Sequence, residues 1–297
     1  MSEATSGVLK VEGHELAITH PDKMLWPDPG ITKAVYLQKL IALSPYLLRY
    51  CRNRYLTTIR YPGGVGGKSF YQKNAPKPTP DFVRTAELDG VTYVNLDSLP
   101  TLLWLGNLGS LEFHPSFQYI GGEEPAEWVL DIDPSVEGDP RLMEAVARIG
   151  EVLEGLGIAS VPKTSGATGV QIVVPIERGY TFTQLRSVGK LVGTYLSEKH
   201  PRLFTIARPL QERGKRIYID YVQHWAGKSL SAPYTPRGRK EATVSTPLTW
   251  EEVRAGVDPR EFHLLSIEER LRDKGDLLQQ VPPQSLDAVL ETAARLP

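Results

Sequence analysis

The sequence predicts an α/β (α+β) protein in which strands and helices interleave over residues 1–297, a single domain of two interpacked lobes. Three observations carry this. Apolar positions recur with period two in short runs and with period 3.6 in longer ones, and the two patterns alternate along the chain. No Pro-, Gly- or Ser-rich stretch long enough to be a linker separates them, and no segment repeats. With 297 residues, 41% hydrophobic and 23% charged, the chain carries enough apolar surface for a large core.

Taken in order, residues 8–18 read as an opening strand, followed by the proline-rich loop "HPDKMLWPDPG". A helix is expected to start at Thr32 with Ala34, Leu37 and Ile41 on its inner face, and Pro45 to open a further helical turn. "YLTTIRY" (55–61) and "LEFHP" (111–115) read as strands, with "SLPTLLWLG" a short apolar helix between them. "VLDIDPS" (129–135) is a strand, and residues 142–156 place Leu142, Val146, Ile149 and Leu153 on one helical stripe. "ASVPKTS" and "VQIVVPI" are strands joined by a glycine-bearing turn. Residues 182–199 are helical, "RIYIDYV" is a strand, and the tail from 249 is mostly helical.

Composition narrows the function classes. No 18-residue apolar run suggests a membrane span, "MSEATSGVLK" lacks a basic-then-apolar leader pattern, and the single cysteine, Cys51, cannot build a disulfide framework. A cytoplasmic protein with no membrane partner is expected. The six histidines are scattered, with no zinc-ligand spacing. The net charge of −1 hides an asymmetry: residues 202–240 hold nine bases and two acids, a local +7, whereas residues 251–297 hold ten acids and six bases. "GGVGGKS" (63–69) ends like a P-loop, but Pro62 stands where the motif requires its first glycine, and an ATPase of that type is rejected.

Aspartates are the sharper signal. In "VLDIDPS", side chains alternate, so Asp131 and Asp133 share a face while Leu130 and Ile132 take the other. Two carboxylates about 6 to 7 Å apart along one strand repel unless a cation lies between them. Either a divalent metal answers this, or the strand simply ends in an Asp133-Pro134 turn. Asp220, on the same face as Tyr218 in "RIYIDYV", sits inside the basic segment and could complete a ligand set for two metal ions about 3.5 to 4 Å apart. Hard oxygen ligands favour magnesium or manganese.

Other stretches suit anions. Lys33 lies in the first turn of its helix, where the dipole disfavours a cation unless a shared anion is present. Free N–H groups there, with Lys33 and a folded-back Lys23, would bind phosphate, although a tolerated exposed lysine explains the same residue. Phe70 and Tyr71, flanked by Lys68 and Lys73, suit stacking on an unpaired base, or one ring belongs to the core. "KTSGATG" (163–169) can present N–H groups to phosphate, as can many hairpin turns.

The order of "DID", then "SGATG" before a strand, then "YIDY", "APYTPRGR" and "VSTPLTWEE" resembles the polymerase domain of bacterial DNA ligase D, from "THPDKMLWPDPGITK" to about Gly275. The resemblance implies an archaeo-eukaryotic primase-like core of mixed and antiparallel sheets flanked by helices. It implies a template-directed nucleotidyltransferase of non-homologous end joining that fills gaps and prefers ribonucleotides. Carried over, Asp131, Asp133 and Asp220 are the catalytic, metal-binding carboxylates for two Mn2+ or Mg2+ ions. His114, Ser165, Gly166, Thr168, Gln171, Arg213, Gln223 and Arg237 hold the incoming NTP or dNTP, Lys23 and Lys33 grip the DNA 5′-phosphate, and Phe70, Tyr71 and Lys73 meet the template. Gln171 and Thr168 depart from the family pattern, which commonly has histidine and lysine there.

The chemistry implied is in-line attack of a primer 3′-hydroxyl on the α-phosphate, with basic groups such as Arg237 stabilising developing charge. The expected partners are DNA with gaps or 3′ overhangs and a 5′-phosphate, a Ku-like end-binding protein and a separate ligase, in a nucleoid-associated protein. The nearest imitation of the nucleotidyl-lysine motif KxDG is "ELDG" (87–90), which has Glu87 where lysine is required, so the chain is not expected to seal nicks. The rival readings are a primase-polymerase of the same superfamily, a non-catalytic cap for 5′-phosphorylated ends, and, more weakly, a two-metal nuclease.

Overall fold

The computed structural model describes residues 6–295, and the chain divides into two compact units. One runs to Ser116 and takes in Ser229–Ser245 and Phe262–Asp273; the other comprises Phe117–Lys228, Thr246–Glu261 and the chain from Lys274 on.

The first unit is organised by the helix Lys33–Cys51, capped by the Thr32 hydroxyl accepting from the Val35 N–H at 3.4 Å. Its inward stripe is Tyr36, Leu40, Leu43, Leu47 and Cys51, all fully buried, with Leu37 beside them. Ile41, expected on that face, is 40% exposed. The expected face is one position out of phase, because the run 34, 37, 41 fits a 3.6-residue period as well as 36, 40, 43, 47 does. Pro45 lies inside one continuous helix. It opens no new turn, because the Ser44 hydroxyl donates to the Ile41 carbonyl at 2.8 Å, the acceptor that a residue with an N–H at position 45 would have served.

Residues 8–18, read as one strand, form an antiparallel hairpin of Ser6–Val11 and His14–Thr19. Glu12 and Gly13, both at positive φ, make its two-residue turn. The unit's larger sheet runs in the order Phe70–Gln72, Arg54–Arg60, Val91–Val94, Thr85–Leu88, with Ser110–Tyr119 also pairing Arg54–Arg60. The strand predicted at 111–115 is therefore ten residues long. Helix Leu99–Asn107, the helix Lys33–Cys51 and this sheet enclose a core that includes Trp26, Leu56, Leu103, Phe113 and Tyr234. "GGVGGKS" leads into the strand Phe70–Gln72, so the strand-to-helix context of a P-loop is absent.

The second unit holds a five-stranded sheet ordered Val161–Thr164, Val170–Val174, Trp128–Pro134, Ile217–Asp220, Phe204–Thr205, antiparallel except for the last pair. Its helices include Leu142–Gly155, Phe182–Lys199 and Trp250–Ala255. Leu142, Val146, Ile149 and Leu153 are buried as their spacing predicted. The helix Phe182–Lys199 is fixed at its start by reciprocal bonds between Thr181 and Gln184. No described helix is long and apolar enough to cross a membrane.

Candidate functional site

Register brings the predicted aspartates together. Asp131 lies directly opposite Asp220 on one neighbouring strand and Gln171 on the other, and Gln171 lies opposite Lys163. Cross-strand partners share a face, so one row across the sheet reads Lys163, Gln171, Asp131, Asp220. Asp133, opposite Tyr218, stands two positions along on the same face. The strand continues through Pro134, so the alternative of a turn at Asp133-Pro134 falls away.

The carboxylates pay electrostatically for this arrangement. Burial and then the charges of Asp133 and Asp220 hold the Asp131 carboxyl well above the usual range, against a hydrogen bond from Gln171 and the charge of Lys163. Burial and Asp220 likewise raise Asp133, which Arg213 partly offsets. Such a face, all oxygen donors and under-compensated for charge, fits hard divalent cations. Among the described residues, however, no three His, Cys, Asp or Glu side chains are already gathered to hold an ion.

The flanking groups are placed differently from the sequence reading in part. Gln171 is buried: its amide donates to Asp131 and its oxygen accepts from the buried Lys163 ammonium. It therefore serves a carboxylate within the sheet. Tyr218 shares the Asp220 face as strand parity indicated, whereas Lys163 was missed by sequence reasoning, because only the pairing of its strand with Val170–Val174 sets it opposite Gln171. The Arg213 guanidinium stacks 3.6 Å from the Tyr218 ring centroid and donates to the Ala207 and Arg208 carbonyls. Asp220 Oδ1 accepts from the Val222 and Gln223 N–H groups at 3.0 and 2.9 Å, which ties Gln223 to the site through its backbone.

In the turn after Lys163, Ser165 is buried and its hydroxyl accepts from the Ala167 and Gly169 N–H groups, both at 3.1 Å. Those two donors are used within the loop, contrary to the expectation of N–H groups held out to phosphate. Gly166 takes φ 69° at the turn and Thr168 is half-buried. A Cβ on Gly169 would lie 2.5 Å from the Ile132 carbonyl oxygen and 2.9 Å from Asp133 Oδ1, so only glycine lets this turn lie against the aspartate strand.

In the first unit, His114 and Arg237 meet on a residue the sequence reading passed over, Glu112. Its Oε2 accepts from Arg237 Nε at 2.8 Å and lies 3.0 Å from His114 Nε2, while its Oε1 accepts from the Tyr61 hydroxyl and the Gly238 N–H, both at 2.9 Å. These partners outweigh burial and draw the Glu112 pKa down to about 2.

Lys33 and Lys23 are close enough for Lys23 to depress the Lys33 pKa, after the larger effect of burial. The Lys33 ammonium donates to the carbonyls of Thr19 at 2.6 Å and Asn107 at 2.9 Å, and Lys23 to that of Pro62. Contrary to expectation, the helix N-terminus is not open: the Lys33 and Ala34 N–H groups donate to Lys23 and Pro21 carbonyls and the Thr32 hydroxyl takes that of Val35. Carbonyls of the Pro21–Lys23 loop thus take up the Lys33 and Ala34 N–H groups themselves.

Phe70 and Tyr71, 43% and 72% exposed, lie on the edge strand, so neither ring belongs to the core. Arg60 lies 5.3 Å from the Phe70 ring centroid, and Lys73 is exposed just beyond the strand.

Comparison with known proteins bears on the family and the fold. The family model of the LigD primase-polymerase domain matches residues 32–278. The bifunctional non-homologous end joining protein LigD of Bacillus subtilis is 35% identical over 282 residues, 93% of this chain and 46% of that protein. The multifunctional LigD of Mycolicibacterium smegmatis is 30% identical, over 88% of this chain and 35% of its own length. The chain thus spans less than half the length of these relatives. Among solved structures, the polymerase domain of Mycobacterium tuberculosis ligase D in complex with DNA superposes with a TM-score of 0.82 at 25% identity, covering 95% of this chain and 99% of that one. The chain belongs to the LigD primase-polymerase domain family.

Proposed function

We propose that this chain is a DNA-directed nucleotidyltransferase that adds nucleotides, with preference for ribonucleotides, to 3′-hydroxyl ends at gaps and double-strand breaks. The observation that carries this reading is the carboxylate face, where Asp131, Asp133 and Asp220 are aligned by register with their charge under-compensated. Binding and repair proteins without chemistry have no need of three repelling acids on a sheet, and such strain is kept where it serves a reaction.

Asp131, Asp133 and Asp220 would hold two divalent cations, Mn2+ or Mg2+. When bound, such ions favour the ionised hydroxyl and neutralise charge on the leaving pyrophosphate. The chain's own residues do the remainder. The carboxylates would fix where those cations sit, and Gln171, held by Lys163, keeps one Asp131 oxygen oriented. In the first unit His114 and Arg237 supply donors for the triphosphate, and in the second Arg213 brings positive charge to Asp133. The Lys23 and Lys33 pair presents concentrated positive charge to a terminal 5′-phosphate, which relieves the repulsion between the two ammonium groups. Phe70 and Tyr71 offer exposed rings to the template, with Lys73 beside them for its backbone. A Ku-like end-binding protein and a ligase are the partners this role calls for.

The test is extension of a gapped, 5′-phosphorylated duplex with each ribo- and deoxyribonucleotide in manganese and in magnesium. Templated addition that Asp131→Ala abolishes, with end binding retained, supports the reading. Failure to extend with any nucleotide, or degradation of the DNA without nucleotides, overturns it.

A further inference from the structure

We infer that Glu112 is a positioning residue for the incoming nucleotide: its single buried carboxylate locks the His114 imidazole and the Arg237 guanidinium into one rigid pair of phosphate donors. The inference rests on the reading above that these two side chains hold the nucleotide. It adds the group that sets their geometry.

Glu112 and His114 stand two positions apart on the strand Ser110–Tyr119, so they share a face. The Glu112 side chain is 4% exposed, whereas those of His114 and Arg237 keep 12% and 15% at the surface. The carboxylate is thus the inner anchor and the two bases are its outer arms. Each of its oxygens serves two partners, and all four lie within 3.0 Å. Engagement of Arg237 through Nε fixes the plane of the guanidinium, which a bond to a terminal nitrogen would leave free to swing.

The other two partners hold the anchor still. Tyr61 donates to Oε1, and its ring lies so near Gly238 that a Cβ there would fall 2.2 Å from the phenolic oxygen. Any side chain at 238 would push the phenol away and remove its bond to Oε1. The Gly238 N–H donates to that same oxygen and the Trp26 indole donates to the Arg237 carbonyl at 3.2 Å, which holds the peptide after Arg237, while the Arg237 N–H donates to the Thr243 carbonyl at 2.8 Å and holds the peptide before it.

The experiment is single-ribonucleotide addition to a saturating gapped, 5′-phosphorylated duplex in manganese, by wild type, Glu112→Gln, Tyr61→Phe, His114→Ala, Arg237→Ala and the Glu112→Gln/Arg237→Ala double variant. Loosening of two donors at once predicts that Glu112→Gln raises the nucleotide KM by about tenfold with kcat within about threefold of wild type. Adding Glu112→Gln to Arg237→Ala should raise KM by less than about threefold more, because the shared link is already lost. Tyr61→Phe keeps the charge and removes one bond, and a KM rise of about threefold is expected; it decides the matter if Glu112→Gln does not fold. An unchanged KM in Glu112→Gln, or the same penalty in both backgrounds, overturns the positioning role while a raised KM in Arg237→Ala leaves the nucleotide reading standing. An unchanged KM in both His114→Ala and Arg237→Ala overturns that reading, and this inference with it.

Discussion

Acidification should protonate Glu112 only after carboxylates of ordinary pKa, and the size of the effect follows from its pKa. His114, Arg237 and the Gly238 N–H outweigh burial and lower that value from 4.5 to about 2. A carboxyl whose folded-state pKa is depressed adds stability that is complete above the unfolded value and is lost as pH falls towards the folded one. The window is therefore pH 4.5 down to about 2, and a shift of that size at 1.36 kcal/mol per unit is about 3 kcal/mol. Because the side chain is 4% exposed, little of this is lost to solvent screening. The perturbation is Glu112→Gln, which keeps the shape and removes the titration. At neutral pH the variant should be less stable by about 2 kcal/mol, since Arg237 then faces a neutral amide. The assay is urea unfolding of both proteins from about pH 6 to about pH 2.5, read as the difference between them, so that carboxylates common to both cancel. The gap should close as pH falls. A gap that stays constant through the window would show that the carboxylate is not held by these contacts, and the locked His114–Arg237 pair would be refuted with it.

Three further outcomes are expected. Asp131→Asn should raise the thermal stability of chelator-treated protein at neutral pH by about 1 kcal/mol or more, because burial and Asp133 disfavour the charge that ionisation brings; a lowered Tm counts against the repelling face. Lys33→Ala should weaken binding to a gapped duplex bearing a 5′-phosphate by about tenfold and barely affect its unphosphorylated twin. Since Lys33 also bonds the Thr19 and Asn107 carbonyls, the ratio of the two affinities is the readout, and equal losses would refute the assignment. Phe70→Ala and Tyr71→Ala should each change stability by less than about 0.5 kcal/mol, as exposed residues do, yet weaken binding of a gapped template by about fivefold or more through lost base stacking. A clear drop in Tm would place those rings in the packing after all.

The residues legible in the sequence are those whose signal is local. Asp131 and Asp133 share a face by strand parity alone, and the stripe at Leu142, Val146, Ile149 and Leu153 is fixed by helical period. The misread residues depend on partners far along the chain. Glu112 looks like one more strand residue because Tyr61, Arg237 and Gly238, which explain it, are 51 to 126 positions away. An open helix end at Lys33 is a general property of helices, and the Pro21–Lys23 loop, whose carbonyls close it, leaves no mark in periodicity. The hairpin at Glu12-Gly13 is hidden because its turn lacks the usual Asn-Gly or Asp-Gly pair, so one alternating run reads as a single strand.

Register is the property on which the carboxylate face depends most. Side chains on a strand alternate, so sliding Ile217–Asp220 by one residue against Trp128–Pro134 would carry Asp220 to the opposite face, among Leu130 and Ile132, and bring Ile219 opposite Asp131 or Asp133. Burying a carboxylate there would cost several kcal/mol, as would exposing Ile217 and Ile219, both fully buried as the sheet stands. The apolar face thus selects the register, and the register aligns Asp131 with Asp220. On the other side, the turn that ends at Gly169 fixes Val170 opposite Ile132 and hence Gln171 opposite Asp131. Ordinary hydrophobic burial on one side of the sheet holds in line, on the other, charges that would separate if they were free to do so.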